Sequence, residues 1–239
     1  MTHVVAIVPA KDRVGSIADT VTALVELDVI GEVVVVDDGS VDGTGETARK
    51  AGARVVTLER NIGKGGAVAA GVAASGAPES YLLLDADLGA SASHAKILLQ
   101  PLVDDQVDMT IGIFPKSGRS RGFGIVKRTA ARLLEQATGR RFIEPLSGQR
   151  AVSGPLMRSL KLADGFGLEV ALTIDAHVAG ARIVEIAAPF SHRPSGRGPR
   201  GVAHRARQCR DVVKASAARL GWRSTLEAVV SGLVRNNAK

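Results

Sequence analysis

The segment "YLLLDADLG" (81–89) sets Asp85 and Asp87 one residue apart, directly after an apolar run. Two carboxylates this close repel unless one is protonated or a cation lies between them. In an extended chain both side chains would leave the same face, because only Ala86 separates them. Hard divalent cations such as Mg²⁺ and Mn²⁺ take oxygen ligands, and are typically held by one or two carboxylates together with substrate phosphates. The spacing therefore points to Mg²⁺ or Mn²⁺ at Asp85 and Asp87. A pair of solvated loop aspartates is the competing reading.

Three further motifs offer polar groups in comparable positions. "DDGSVDGT" (37–44) places Asp37 and Asp38 ahead of a turn. Asp38 is suited to accept hydrogen bonds from a base or ribose, where N–H and O–H donors converge. Asp42, Thr44 and the glycines are equally explained by helix capping and turn formation. "NIGKGGA" (61–67) is a Gly-rich turn with Lys64 at a helix start, an unspecific anion site. It is no Walker motif, since Gly65 follows the lysine and Leu58 stands where the first glycine belongs. No dinucleotide fingerprint follows the first strand, which argues against NAD or FAD. In "PLSGQRAVS" (145–153), Ser147, Gly148 and Gln149 form either a substrate-facing or an ordinary turn.

These motifs need a scaffold that brings them to one edge. Apolar runs at 3–10, 32–38, 53–59 and 81–87 read as strands buried on both faces. Helical segments alternate with them, including 16–27 with Ile17, Val21, Leu24 and Val25 on one side. Such alternation predicts an α/β fold with a Rossmann-like, mostly parallel central sheet, helices on both faces and additional C-terminal helices. In open sheets of this kind ligands bind beyond the carboxyl ends of the strands, where "PAKDR", "DDGSVDGTG", "ERNIGKGG" and "DADLG" fall. A fifth strand is expected at 108–114 and another at 181–190. The expected organisation is one domain over 1–239: a nucleotide-binding half (1–114), an acceptor half (115–201) and two helices (202–239), the first basic.

Composition narrows the classes. A net charge of +7 calls for an anionic partner, whether phosphate ester, nucleic acid or membrane face. Aromatic residues make up only 3%, too few for the stacking platforms of single-strand nucleic-acid binding. The single cysteine, Cys209, excludes an internal disulfide and fits a cytoplasmic setting. No basic leader precedes the first strand and no run reaches the roughly 18 apolar residues of a transmembrane helix. The expectation is a cytoplasmic protein, at most peripheral at the inner face of the plasma membrane.

The motifs "VPAKDRVGSIADTV", "EVVVVDDGSVDGT", "NIGKGGAVAAG" and "YLLLDADLG", in that order, resemble the GT-A fold glycosyltransferases of family 2, in particular polyprenyl-phosphate sugar synthases. The second half, through "PLSGQRAVS", "GFGLEVALTIDA" and "HRPSGRG", also resembles glucosyl-3-phosphoglycerate synthases. The resemblance implies that Pro9, Ala10 and Asp12 border the base, Asp38 contacts the nucleoside, and Asp85, Ala86 and Asp87 bind the diphosphate through a metal. It further implies His192 as a third metal ligand and Arg193, Gly196 and Arg197 as a loop closing over the diphosphate. Glu169 corresponds to the acid residue facing the acceptor, a general base if that acceptor is a hydroxyl. A first-turn glutamate favoured by the helix dipole is the plain alternative. Two departures are Lys11-Asp12 in place of the usual Asn-Glu pair and Gly89 in place of a polar residue.

The expected function is metal-dependent transfer of a sugar from a UDP- or GDP-sugar to a phosphate-bearing acceptor. Polyprenyl phosphate is the first choice and a small phosphorylated acid the second. Lys116, Arg119, Arg121, Lys127, Arg128 and the 204–214 stretch would form a cationic rim for a lipid phosphate. A solubilising surface explains the same charges. A sugar-phosphate nucleotidyltransferase and a nucleic-acid-binding module are the rival classes, and a homodimer stays open.

Overall fold

The computed structural model describes residues 3–115, 124–191 and 199–234, with side chains outside 124–125, 199–206 and 231–234. Seven strands form one sheet: β1 (Val4–Ala10), β2 (Glu32–Asp37), β3 (Arg54–Thr57), β4 (Ser80–Leu83), β5 (Met109–Ile113), β6 (Arg150–Ser153) and β7 (Ile183–Ala187). Their spatial order is β3-β2-β1-β4-β6-β5-β7. Only β6 runs antiparallel, inserted between β4 and β5. The helices are α1 (Val14–Val25), α2 (Thr44–Lys50), α3 (Gly63–Ala74), α4 (Lys96–Val103), α5 (Gly124–Thr138), α6 (Gly154–Ser159), α7 (Leu168–Val178), α8 (Pro199–Leu220) and α9 (Trp222–Val234).

Strand pleating sorts the core into two layers. Val5 and Ile7 of β1, with Val34, Val36, Tyr81 and Leu83, pack against α3, α5 and α7, backed by α8 and α9. Val4, Ala6 and Val8, with Val33, Val35 and Leu82, pack against α1, α2 and α4. Both faces of β1 and β2 are buried, which is why these strands read as unbroken apolar runs rather than alternating ones. The expected mostly parallel sheet with helices on both faces is what the chain forms. Among the described residues no helix is long and apolar enough to cross a membrane.

Two local expectations need correction. β4 ends at Leu83, so Asp85 and Asp87 do not lie on an extended strand and the same-face argument fails. The chain turns away because Ser16 and Thr20 of α1 donate their hydroxyls to the Ala86 carbonyl (3.1 and 3.2 Å), and Gly89 N–H donates to Thr20 Oγ1 (2.8 Å). Gly89 takes φ +53° at this bend. The strand predicted over 81–87 is thus shorter, and its last residues belong to a tight turn.

Candidate active site

The carboxyl ends of β1, β2 and β4 open into a continuous cavity of about 1820 Å³. Pro9, Ala10, Lys11, Arg13, Asp38, Lys64, Asp85, Ala86, Asp87 and Glu169 all line it. Three loops and the first turn of α7 therefore deliver most of the expected positions to one wall.

The nucleoside end is built by cross-stitched loops. Asp38, buried at the tip of β2, accepts hydrogen bonds from the backbone N–H of Ile62 (2.7 Å) and Gly63 (3.0 Å). It thereby ties the β2 end to the Gly-rich start of α3. Asp37 accepts from Ser40 N–H (2.9 Å), closing the turn that follows. Asp12 sits at φ +51° and faces the β2–α2 loop: its N–H donates to Ser40 Oγ (2.9 Å) and its carboxylate accepts from Val41 N–H (3.1 Å). Asp12 is not among the cavity-lining residues. Asp42 accepts from Val14 N–H (3.1 Å) and from both donors of Thr44, so it links α1 to α2 as well as capping. Hydrogen bonds to the charged form hold the Asp12 carboxyl, beginning with Val41 N–H, below the ordinary value of 3.8. For Asp42, burial pushes upward, yet its bonds with Thr44 and Val14 bring it below 3.8 as well.

At the other end lies a half-buried charge cluster. Lys64 Nζ stands 2.6 Å from Asp85 Oδ1 and 2.7 Å from Glu169 Oε1. Burial lowers the Lys64 pKa, but the attraction of Asp85 and Glu169 outweighs it, and the ammonium is held above its ordinary value of 10.5. Gln149 Nε2 donates to the other Asp85 oxygen (2.8 Å). Asp85 is thus flanked by a cation and an amide, whereas Asp87 faces Arg13 at 4.0 Å. Lys64 is thus shared by Asp85 and Glu169, while Arg13 stands at the edge of contact with Asp87.

Gly148 explains the motif "SGQR": a Cβ there would collide with Lys64 Nζ and come within 2.7 Å of Asp85 Oδ1. Ser147 and Gln149 are buried under the cluster rather than lining the cavity. Gln149 reaches it only through Asp85.

Arg150 went unassigned in the sequence. Its side chain is fully buried, donates to Ser147 O (2.9 Å) and Thr173 Oγ1 (2.8 Å), and props the 147–149 turn from behind. Burial pulls its pKa down to about 10, opposed by Glu169 and Glu185. The signal available was a charged residue entering an otherwise apolar strand. Lys127 of the expected cationic rim is committed to Glu144 (2.6 Å). His192, Arg193, Gly196, Arg197, Lys116, Arg119 and Arg121 lie outside the described residues.

The sequence profile of glycosyl transferase family 2 matches residues 5–157. The chain belongs to glycosyl transferase family 2. Membership weighs against the nucleotidyltransferase and nucleic-acid-module alternatives. Within this family, the glycosyltransferase AglJ of Haloferax volcanii is 30% identical over 193 residues, covering 79% of this chain. A glucosyl-3-phosphoglycerate synthase from Mycolicibacterium paratuberculosis is 30% identical over 186 residues, covering 69% of this chain. The chain spans 63% and 56% of the length of these two relatives. Among solved structures, glucosyl-3-phosphoglycerate synthase from Mycobacterium tuberculosis aligns at 25% identity over 92% of this chain and 80% of the other. Its complex with Mg²⁺ and UDP gives a TM-score of 0.79, and its complex with Mn²⁺, UDP-glucose and phosphoglyceric acid one of 0.77.

Proposed function

We propose that this family 2 protein transfers a sugar from a nucleoside-diphosphate sugar to a phosphate-bearing acceptor, with Mg²⁺ or Mn²⁺ as cofactor. The observation that carries the reading is the convergence of Asp38, Asp85, Asp87, Lys64 and Glu169 on one cavity at the strand ends. Asp85 and Asp87 offer the oxygen donors that these cations take, beside space for substrate phosphates to complete the coordination. When bound, the dication acts as Lewis acid on the departing diphosphate.

The chain's own residues supply the rest. Pro9 and Ala10 wall the end assigned to the base. Asp38 holds the start of α3 in place and keeps lone pairs on both oxygens for a nucleoside donor. Asp87 is the preferred direct ligand, because the Lys64 ammonium already stands against Asp85 at 2.6 Å whereas Arg13 comes only to 4.0 Å of Asp87. Arg13, near Asp87, adds positive charge at the same mouth. Glu169 lines the cavity and pairs with Lys64, where a hydroxyl acceptor would give it a proton to take. An acceptor that attacks through a phosphate oxygen needs no base.

The likeness to glucosyl-3-phosphoglycerate synthase supports a small phosphorylated hydroxy acid as acceptor and UDP-glucose as donor. A specific feature favours polyprenyl phosphate and peripheral membrane contact as a second reading. Helix α9 exposes Trp222 (61%), Leu226 (53%) and Val230 (56%) at helical spacing on one side. A tryptophan heading an apolar stripe on a cationic protein suits a membrane interface.

The test is a screen of UDP- and GDP-sugars, with and without Mn²⁺, against 3-phosphoglycerate and polyprenyl phosphate. Metal-dependent transfer to either acceptor supports the proposal. Folded protein that turns over no nucleotide sugar overturns it.

A further inference from the structure

The cavity is larger than one ligand needs: drug-sized ligands occupy roughly 300–1,000 Å³, against about 1820 Å³ here. Away from the strand ends its wall, here termed the outer lobe, is made by the α6–α7 connection and by one side of α8. Its charges are unevenly matched. Arg219 is committed to Asp175 by two hydrogen bonds and Arg210 to Asp211. Lys161, Arg207 and Lys214 also line the lobe and make no ion pair among the described residues, against one carboxylate there without a cation, Asp164. The buried carboxamide oxygen of Gln208, on the same wall, has no hydrogen-bond partner among the described residues.

We propose that Arg207 and Lys214 of α8, with Lys161 of the α6–α7 connection, form a phosphomonoester subsite that anchors the acceptor. The inference rests on the transferase reading and specifies where the acceptor's phosphate sits. Arg207 and Lys214 are seven residues apart, two turns on the same side of the helix, about 10 Å along its axis. Asp211, between them on that side, is already met by Arg210 and by the Phe166 N–H, so the two long cationic side chains are left for an anion in the cavity. Arginine supplies a planar fork for two phosphate oxygens, and lysine a point charge. Rotation of the Gln208 carboxamide toward the cavity exchanges a buried orphan oxygen for a contact with a hydroxyl on the ligand. Phe166, Glu169 and Asp85 line the same cavity, so a molecule held by its phosphate here shares that space with the charge cluster.

Titration of the full-length protein with 3-phosphoglycerate, detergent-dispersed polyprenyl phosphate and inorganic phosphate tests the subsite, with and without Mn²⁺ and UDP. The double variant Arg207→Gln/Lys214→Gln is expected to weaken phosphate-bearing probes at least tenfold and to flatten their salt dependence. Arg223→Gln, on exposed α9, serves as control and leaves them unchanged. Stronger binding of 3-phosphoglycerate than of the lipid assigns a soluble acceptor; the reverse assigns a lipid headgroup. Unchanged affinities in the double variant overturn the subsite, as does failure of the unaltered protein to bind any probe. Loss of UDP binding by the unaltered protein overturns the donor reading instead, and the titrations without UDP still decide the subsite.

Discussion

Lys64 and Asp85 form an ion pair of 2.6 Å between the first turn of α3 and the loop after β4. The same ammonium reaches Glu169, so one cation neutralises two acidic groups from different parts of the chain. Replacing Lys64 by Met leaves both carboxylates poorly solvated and facing each other. The expected cost is about 1–3 kcal/mol of stability, read from urea unfolding, with at least a hundredfold loss of transfer rate. Because the Lys64 pKa is raised, its contribution is complete below 10.5 and is lost only as pH rises through the folded value. The stability gap between wild type and Lys64→Met should therefore hold constant from pH 6 to 9. A gap that closes within that range would contradict the assignment.

Gly148 has no room for a side chain. In Gly148→Ala the new methyl presses on Lys64 and Asp85, and the charge cluster must open. Activity should fall at least tenfold while the protein remains folded. Wild-type turnover in this variant would show that the cluster has slack the structure denies.

Gln149 acts through Asp85. Gln149→Ala removes the donor to one carboxylate oxygen and leaves that oxygen free to rotate. Loss of a partner that orients a metal ligand typically costs 10–100-fold in metal affinity, and Mn²⁺ titration of the variant should fall in that range. Unchanged Mn²⁺ affinity would detach Gln149 from the site.

Acid should loosen the nucleoside end. Asp12 and Asp42 have pKa values below 3.8 in the fold, so the unfolded chain takes up protons first as pH falls. Their stabilisation is complete above 3.8 and is lost as pH drops through the lower folded values. The denaturation midpoint should thus decline as pH falls below 3.8, and Asp42→Asn should show a smaller decline. An equal decline in the variant would contradict a role for Asp42 in that window.

Strands β1 and β2 were legible because both faces are buried and the apolar run is unbroken. The insertion of β6 between β4 and β5 was not, since strand order is a tertiary choice that no local pattern records. Helix α6 escaped notice because it has only six residues and begins Gly154-Pro155. The acidic residues were found by their clustering, but their partners were hidden: Asp85 meets Lys64 across 21 positions and Gln149 across 64. The Asp-x-Asp spacing suggested two carboxylates on one face of an extended strand; the turn pinned by Ser16 and Thr20 instead carries Asp85 toward Lys64 and Asp87 toward Arg13.

The central claim is that Asp85 and Asp87 hold a dication against a nucleoside diphosphate. It is tested most directly by calorimetric titration of UDP into wild type and Asp87→Asn, each with Mn²⁺ and with chelator. Wild type is expected to bind UDP only when Mn²⁺ is present, and Asp87→Asn to bind it at least a hundredfold more weakly. Equal UDP affinity in all four titrations would contradict it.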